Sequence, residues 1–466
     1  MRSPSIRVMG RCRDPPTDHA QSSPDRSRAH AREPLAGHPG PIPDNLALMA
    51  SEVRPSIAMA LGLLVGSGCA NGRSSDPNEV PTGAAVEATV LEPPPAPPDG
   101  SLRVAAVFPT IGRYALSGVQ SMNGVRLAVL AVNSGGGIHG RRIHLLEYRT
   151  GSYFVDVRKA AALAAAQGAL AIVGSNSSEL SKAIAEEAEA RGLVQVSNVS
   201  TAHDLTWDPV SGRDRAFVFR VCSSDAEMGA QLARFAVGRL GARRAAVLFE
   251  VGRSYSSQLA RSFIETFRAE VSAASVTELR YLTQETDFRP QLREALMVKP
   301  DVLFVPGSFT DATLVASQAV SVGLKATLVG ADGWSNPLLF SRGAPSGPAW
   351  FVDLCEPKED YERRYRDAFG AEAYGCRAML ATDAMRSVAV ALRAMGPLEG
   401  DALGPDLQAT RRRLRDLLAT AEVEGETGRF RFDAHGDRRR GVVLFSVDAR
   451  SGGGVTFRTA GWLGSR

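Results

Sequence analysis

The stretch ALAIVGSNSSELSKAIAEEAEARGLVQVS, residues 169–197, contains the repeating unit of the fold. An apolar run at residues 169–174 is followed by small polar residues, and then by a segment whose apolar residues recur at helical spacing as far as Gly192. A second apolar run, LVQVS, comes next. Short apolar runs bounded by turns are typical of buried strands, and strands that alternate with helices favour parallel pairing. The stretch therefore predicts one βαβ unit.

The same alternation continues along the chain from residue 101. Apolar runs at residues 102–110, 244–250 and 300–307 are each followed by an amphipathic segment. Strands that each lead into a helix form parallel sheets with helices on both faces. A chain of this length divides its core between domains. The sequence therefore predicts an α/β fold of two lobes, each built on a doubly wound parallel sheet.

The composition is that of a globular protein and disfavours several classes of function. The 466 residues are 44% hydrophobic and 22% charged, with a formal net charge of +4. Because arginines alternate with acidic residues, as in residues 359–367, the charge indicates solvated helix faces rather than a nucleic-acid surface. No G-x-S-x-G or H-E-x-x-H motif and no C-x-x-C pair is present. The sequence therefore predicts neither an enzyme nor a metal or cofactor site.

An export signal is predicted near the amino terminus. The apolar run at residues 56–68 follows Arg54 and ends in Cys69, as in a secretory signal. Its small–small–Cys ending resembles the lipobox of bacterial lipoproteins, which implies a signal peptide at residues 49–68 and lipidation of Cys69. An ordinary secretory signal and a short buried helix are the alternatives.

The segments on either side of this signal are expected to lie outside the fold. Residues 1–48 lack periodicity, so we expect a doubtful or disordered leader there and a start of translation at Met49. Residues 69–100 are rich in proline and predict an extended tether between a lipid anchor and the folded part.

The order of motifs along residues 101–450 is similar to that of one protein family. The segments concerned are FPTIG, GVRLAVLAVNSGGGIHG, AIVGSNSS, VSNVSTAHDLT, AAVLFEVGRSYSSQL, GLKATLVGADG and TGRFRFDAHGDRR. In this order and spacing they resemble the leucine/isoleucine/valine-binding family of periplasmic solute-binding proteins. The resemblance implies a type I periplasmic-binding-protein fold, in which two lobes joined by a three-strand hinge close on a small solute and deliver it to an ABC importer.

The resemblance also implies partners and location. It predicts a monomeric lipoprotein of the periplasm or cell surface that binds an amino acid or related carboxylate. The other partner is a membrane permease, and the chain meets the membrane only through its lipid. An envelope lipoprotein of the same fold that acts as a sensor or activator, without transport, is the alternative.

Lobe boundaries follow from the same resemblance. The expected crossings between the lobes lie near Phe219–Ser223, Asp332–Trp334 and Glu426–Phe430. The first lobe would then comprise residues 101–221 and 334–427, and the second residues 222–333 and 428–466.

In the first lobe, the family's carboxylate-binding serine aligns with Ser178, and its serine–proline loop aligns with residues 197–201. Thr201 would give its hydroxyl to the ligand's carboxylate and Val199 its backbone carbonyl to the ammonium, with Ser200 between them.

In the second lobe, the acid that pairs with the ammonium falls on Asp311, and an aromatic ring falls on Tyr255. The chemistry agrees, because hydroxyls and helix-start N–H groups suit a carboxylate and a lone carboxylate suits an ammonium. The alternatives are that Ser178 and Asp311 only cap helices and that Tyr255 is a packed rim aromatic. Asn198 replaces the family's proline, which leaves the solute's identity open.

Three cysteines lie in the expected folded part. Cys355 and Cys376 flank the helical segment at residues 359–369, and a disulfide between them is possible outside the cytoplasm. Cys222 would then be unpaired and buried at a hinge.

Overall fold

The computed structural model describes residues 94–98, 100–397, 406–449 and 454–464. The predicted leader, the signal peptide, Cys69 and nearly all of the tether lie outside these residues.

The first lobe is built on a five-stranded parallel sheet in the order β2-β1-β3-β4-β7. Its strands are β1 (Leu102–Pro109), β2 (Ile143–Thr150), β3 (Ala171–Gly174), β4 (Val194–Ser197) and β7 (Val218–Arg220). Helices α1 (Ala115–Ser134), α2 (Phe154–Ala166) and α3 (Ser178–Ala190) connect the first four strands, and the short pair β5 (Trp207–Asp208) and β6 (Arg213–Asp214) precedes β7. The opening stretch is thus the β3–α3–β4 unit, as predicted.

The second lobe is built on a seven-stranded sheet in the order β16-β15-β12-β11-β10-β8-β9. Its parallel strands are β8 (Arg244–Glu250), β9 (Ser275–Tyr281), β10 (Val302–Phe304), β11 (Thr327–Gly330) and β12 (Ala349–Asp353). Strands β15 (Val442–Ala449) and β16 (Val455–Leu463) complete it as an antiparallel edge, which the sequence analysis did not anticipate. The helices of this lobe are α4 (Asp225–Gly238), α5 (Ser254–Glu270), α6 (Arg289–Val298) and α7 (Phe309–Val322).

After β12 the chain returns to the first lobe, before β15 and β16 complete the second sheet. Its elements there are α8 (Glu359–Phe369), α9 (Arg377–Ala394), α10 (Leu407–Thr420), β13 (Val423–Gly425) and β14 (Gly428–Phe430). Helix α9 crosses α1 so closely that a Cβ on Gly124 would lie 2.1 Å from the carbonyl oxygen of Ala378, and the Thr382 hydroxyl donates to the Gly124 carbonyl at 2.8 Å. By length and composition α1 is the one helix of the described residues that could cross a membrane, but this packing shows that it is a core helix.

The second expected crossing, at Asp332–Trp334, is wrong. Those residues form a short 3-10 turn after β11, and residues 349–353 then add β12 to the second sheet, paired with β11 and β15. The boundary implied by the resemblance lies before the apolar run AWFVD, and so places residues 334–353 in the first lobe. The crossing lies instead between β12 and α8, at residues 354–358.

The other two crossings lie close to their expected positions. The chain leaves the first sheet at Arg220 and begins α4 at Asp225, near the expected Phe219–Ser223. The hairpin β13–β14 stays with the first lobe, because Asp383 of α9 accepts hydrogen bonds from the backbone N–H groups of Glu426 and Thr427. The third crossing therefore follows Phe430, slightly later than expected.

The structure contains the disulfide that the sequence allowed. Cys355 and Cys376 are bonded, which joins the start of the second crossing to the residue before α9. Cys222 is the unpaired cysteine of the described residues and is 3% exposed beside the first crossing, as predicted.

Candidate ligand-binding site

The polar loops after β3 and β4 lie side by side in the first lobe. These strands are parallel neighbours, so residues 175–178 and 198–202 leave the same edge of the sheet. Ser178 is 4% exposed and Thr201 is fully buried. Ligands of open parallel sheets bind outside the carboxyl ends of the strands, and these loops lie at that position.

Ser178 is oriented toward the neighbouring loop and does not cap its helix. The N-cap of α3 is Ser177, whose side chain makes no capping bond, and Ser178 is the first helical residue. The Ser178 hydroxyl accepts a hydrogen bond of 3.2 Å from the backbone N–H of Ala202. Its own proton and the first N–H groups of α3 therefore remain for an anionic acceptor.

The hydroxyl of Ser200 makes hydrogen bonds between the two polar loops. Its hydroxyl lies 2.7 Å from the Ser181 hydroxyl and donates to the Ser175 carbonyl at 3.2 Å, and all three residues are fully buried. The Ser181 hydroxyl also accepts from the Ser175 N–H at 2.9 Å. Ser200 therefore joins the two loops to each other and presents no hydroxyl to the cleft.

The carbonyl of Thr201 accepts two hydrogen bonds, whereas its hydroxyl has none of comparable length. Its carbonyl accepts from Arg220 Nη1 at 2.8 Å and from the N–H of Asp225 at 2.7 Å. Its buried hydroxyl has no hydrogen-bond partner among the described residues. Val199, two residues earlier, is half-buried against the core of the first lobe.

Asp225 is the residue that the sequence analysis missed. It is the first residue of α4, is fully buried, and neither of its carboxylate oxygens has a hydrogen-bond partner within the described residues. Burial raises the pKa of Asp225 well above its usual range; the neighbouring Thr201 hydroxyl opposes this rise, and the nearby carboxylate of Asp332 adds to it. A buried acid without donors is costly unless something supplies them. Asp225 and the Thr201 hydroxyl beside it therefore form an unsatisfied polar site at the first crossing.

Tyr255 and Asp332 form a hydrogen-bonded pair in the second lobe. The Tyr255 hydroxyl donates to Asp332 Oδ1 at 2.9 Å and accepts from the Gly333 N–H at 3.0 Å. Burial raises the pKa of Asp332 to about 6, with Asp353 adding to the rise and Arg377 opposing it. Tyr255 is therefore more than a packed rim aromatic, because it orients a second acid toward the same region as Asp225.

Asp311 caps its own helix, the alternative that the sequence left open. Its carboxylate accepts from the Ser308 N–H at 2.9 Å, while its N–H donates to the Ser308 hydroxyl at 3.3 Å. Tyr281 also donates to this carboxylate, and Arg113 of the first lobe lies 3.7 Å from it. The structure thus surrounds Asp311 with partners of its own, whereas the carboxylate oxygens of Asp225 are without a close donor among the residues that the structure describes.

The two lobes contact each other around this site. Arg253 of the second lobe lies 3.8 Å from Glu179 and stacks over the Tyr114 ring at 5.4 Å. Burial, together with the like charge of Arg113, lowers the pKa of Arg253 to about 10. Other contacts between the lobes are Arg113–Glu250, Lys182–Ser254 and His203–Gln258. The site therefore lies beneath a layer of charged and polar contacts that hold the lobes together.

The sequence of this chain matches one protein family and is similar to several Leu/Ile/Val-binding proteins. The profile of the family described as "Periplasmic binding protein" matches residues 101–452. The Leu/Ile/Val-binding protein BraC3 of Rhizobium johnstonii is 25% identical over 297 residues, which cover 61% of this chain and 78% of the relative.

Solved structures with this fold bind different solutes. The leucine-binding protein LivK of Thermotoga maritima matches with a TM-score of 0.66 and 26% identity, covering 77% of this chain and 97% of that one. An ABC transporter solute-binding protein of R. palustris, solved with benzoate, has a TM-score of 0.64 at 18% identity, covers 78% of this chain and 97% of its own, and shows the fold alone. The family match spans both α/β lobes, and the chain belongs to the periplasmic binding protein family with the type I fold.

Proposed function

We propose that this chain is the substrate-binding protein of an ABC importer and that it closes on an amino acid. The observation that carries the proposal is the fully buried carboxylate of Asp225, whose oxygens have no partner among the described residues. An ammonium group beside Asp225 would supply the missing donors and stabilise the ionised acid. The Thr201 hydroxyl lies beside this carboxylate and has no other partner among the described residues, so it is available to the same group.

The other end of the solute would be held by the first lobe. The hydroxyl of Ser178 and the uncapped N–H groups at the start of α3 suit a carboxylate, because charged hydrogen bonds are about twice as strong as neutral ones. Asp332, oriented by Tyr255, adds negative charge on the ammonium side. This division of charge supports an amino acid over a plain carboxylate such as benzoate, which would leave Asp225 without a partner.

Membrane attachment is the finer part of the proposal and rests on the sequence. Cys69 at the end of an apolar run and the Pro-rich residues 69–100 support a lipoprotein whose binding domain is tethered to the membrane beside a permease. Growth with labelled palmitate should label the wild-type chain, and Cys69→Ser should abolish the label. Equal labelling of the variant would show that Cys69 is not the lipidated residue.

Calorimetry with three related probes tests the solute class. The purified chain is titrated with L-leucine, with 4-methylpentanoate, which lacks the ammonium, and with leucinamide, which lacks the carboxylate; valine, isoleucine and benzoate complete the panel. Binding of an amino acid, with little or no binding of the analogues that lack one charge, supports the proposal. Binding of benzoate or 4-methylpentanoate as tight as that of any amino acid would contradict it.

A further inference from the structure

Arg220 connects two of the three crossings between the lobes. It is the last residue of β7 and its side chain is fully buried. Its Nε donates to Asp437 Oδ1 at 2.8 Å and its Nη2 donates to Asp437 Oδ2 at 2.6 Å. This is a bidentate ion pair with a residue of the third crossing. The backbones also pair there, since the N–H of Arg220 donates to Gly436 and its carbonyl accepts from Arg438.

The third nitrogen of the guanidinium, Nη1, donates hydrogen bonds to the loop that contains Thr201. Nη1 of Arg220 donates to the carbonyl of Thr201 at 2.8 Å and to that of Ala202 at 2.7 Å. The Ala202 N–H in turn donates to the Ser178 hydroxyl at 3.2 Å. The Thr201 carbonyl accepts a second bond, from the N–H of Asp225. One side chain thus touches the third crossing and the loop that lies against Ser178 and Asp225.

We propose that Arg220 is a positioning residue that couples the ligand loop, residues 199–202, to the third crossing. It acts through the loop's carbonyls and touches no solute. The planar fork of an arginine can bond Asp437 and the loop at once, whereas a lysine ammonium is a single point of charge that cannot span both. Movement at the hinge and order in the loop are then linked. Replacing the guanidinium of Arg220 should therefore make Thr201 and Ala202 more mobile and weaken solute binding.

A matched control, Arg438, directly follows Asp437 within the third crossing itself. Arg438 is also buried, at 3% exposed; it donates to the Thr427 hydroxyl at 2.7 Å and lies 3.6 Å from Asp383. Within the described part of the chain, none of its side-chain contacts is with residues 199–202. Arg438→Lys therefore removes a buried guanidinium of the same crossing without touching the ligand loop.

Amide hydrogen exchange of the empty protein tests the coupling without any solute. In Arg220→Lys we expect the N–H groups of Ala202 and Asp225 to exchange roughly tenfold faster or more, because both are bonded within the loop that Arg220 holds. Arg438→Lys should leave these two amides unchanged, even where it lowers the melting temperature. Asp437→Asn, which keeps the size of its side chain and loses its charge, is the second variant if Arg220→Lys fails to fold, and should change the same amides.

Titration with L-leucine gives the second readout and rests on the proposed function. We expect Arg220→Lys to weaken binding roughly tenfold or more, and Arg438→Lys to stay within about twofold of wild type. Unchanged exchange at Ala202 and Asp225, or unchanged affinity despite faster exchange, would overturn the coupling and leave Arg220 a purely structural residue. If the wild type binds no amino acid, the proposed function fails, and the exchange experiment still decides the role of Arg220.

Discussion

The backbone N–H of Asp225 donates a hydrogen bond of 2.7 Å to the carbonyl of Thr201. This bond joins the first turn of a second-lobe helix to the ligand loop of the first lobe, immediately after the chain crosses between the lobes. It places the buried carboxylate of Asp225 beside the buried hydroxyl of Thr201, and these side-chain oxygens have no other hydrogen-bond partner among the described residues. A solute that bonds both groups would therefore bind at the hinge end of the cleft, where it contacts both lobes. Such a solute favours the closed state, because a ligand shifts a balance only through contacts that differ between states.

The first prediction concerns Asp225→Asn. We expect amino-acid binding to weaken by about 2–5 kcal/mol, because the ammonium loses the charge that compensates its desolvation. The empty protein should be as stable as wild type or more stable, since a buried carboxylate without donors is unfavourable. Calorimetry with L-leucine and thermal unfolding without solute measure the two effects.

Asp311→Asn is the matched control for this prediction. Its carboxylate caps α7, so we expect a loss of about 1 kcal/mol of stability and a much smaller effect on affinity. The reverse pattern, with affinity lost in Asp311→Asn and kept in Asp225→Asn, would restore Asp311 as the acid that binds the ammonium.

The second prediction separates two serines of the polar loops. Ser178→Ala should weaken binding by about 1–3 kcal/mol with little change in melting temperature, because its hydroxyl is available to the solute. Ser200→Ala should lower the melting temperature with little change in affinity, because its hydroxyl bonds only Ser181 and Ser175. Equal effects of the two substitutions on affinity would show that the hydroxyl of Ser178 has no special role.

The sequence predicted the architecture well, because alternation of apolar runs and helical segments is a local signal. The β3–α3–β4 unit and the two-lobed α/β fold are confirmed. Strand β12 was missed because AWFVD is a single short run, and because the resemblance placed the crossing before it, at Asp332–Trp334. The edge strands β15 and β16 pair with elements distant in the chain, which periodicity does not reveal.

The site was harder to predict, because burial decides which acid is free and burial is a tertiary property. Asp225 stands in CSSDAEM, where an acid in the first turn of a helix is ordinary, and only its position at the hinge buries it without donors. Asp311 occupies the same kind of helix start and is satisfied by Ser308. The one available sequence signal, an acid that follows the end of a strand, applies equally to Asp225 and Asp311. Ser178 and Thr201, carried over by resemblance, lie beside each other in the structure, and their contact with a solute remains a prediction.

The third prediction concerns the disulfide between Cys355 and Cys376. The bond closes a loop with a sequence separation of 21 residues that contains α8. Replacing both cysteines by serine should lower stability by roughly 3 kcal/mol through the greater freedom of the unfolded chain. Affinity for an amino acid should change little, since the loop contributes none of the proposed solute contacts. Unchanged thermal unfolding of the variant, or reactive thiols at both positions in the unreduced wild type, would contradict the prediction.

The fourth prediction is that affinity for an amino acid rises with pH near 6. Burial raises the pKa of Asp332 to about 6 in the empty protein, so the folded state binds this proton more tightly than the unfolded state. Its contribution to stability is therefore present at low pH and is lost as pH rises through about 6. An ammonium solute favours the ionised acid, so binding below pH 6 must release a proton. Affinity for L-leucine should accordingly be weaker at pH 5 than at pH 7.

Calorimetry in buffers of different ionisation enthalpy measures the released proton directly. Asp332→Asn should reduce the pH dependence without removing it, because the pKa of Asp225 is raised by burial and contributes with the same sign. His435→Gln is the control, since His435 is exposed and its pKa is raised by Asp214, with which it pairs outside the site. That substitution should leave the pH dependence of binding intact. An affinity that is constant or falls between pH 5 and pH 7 would mean that no buried acid of this site faces the ammonium.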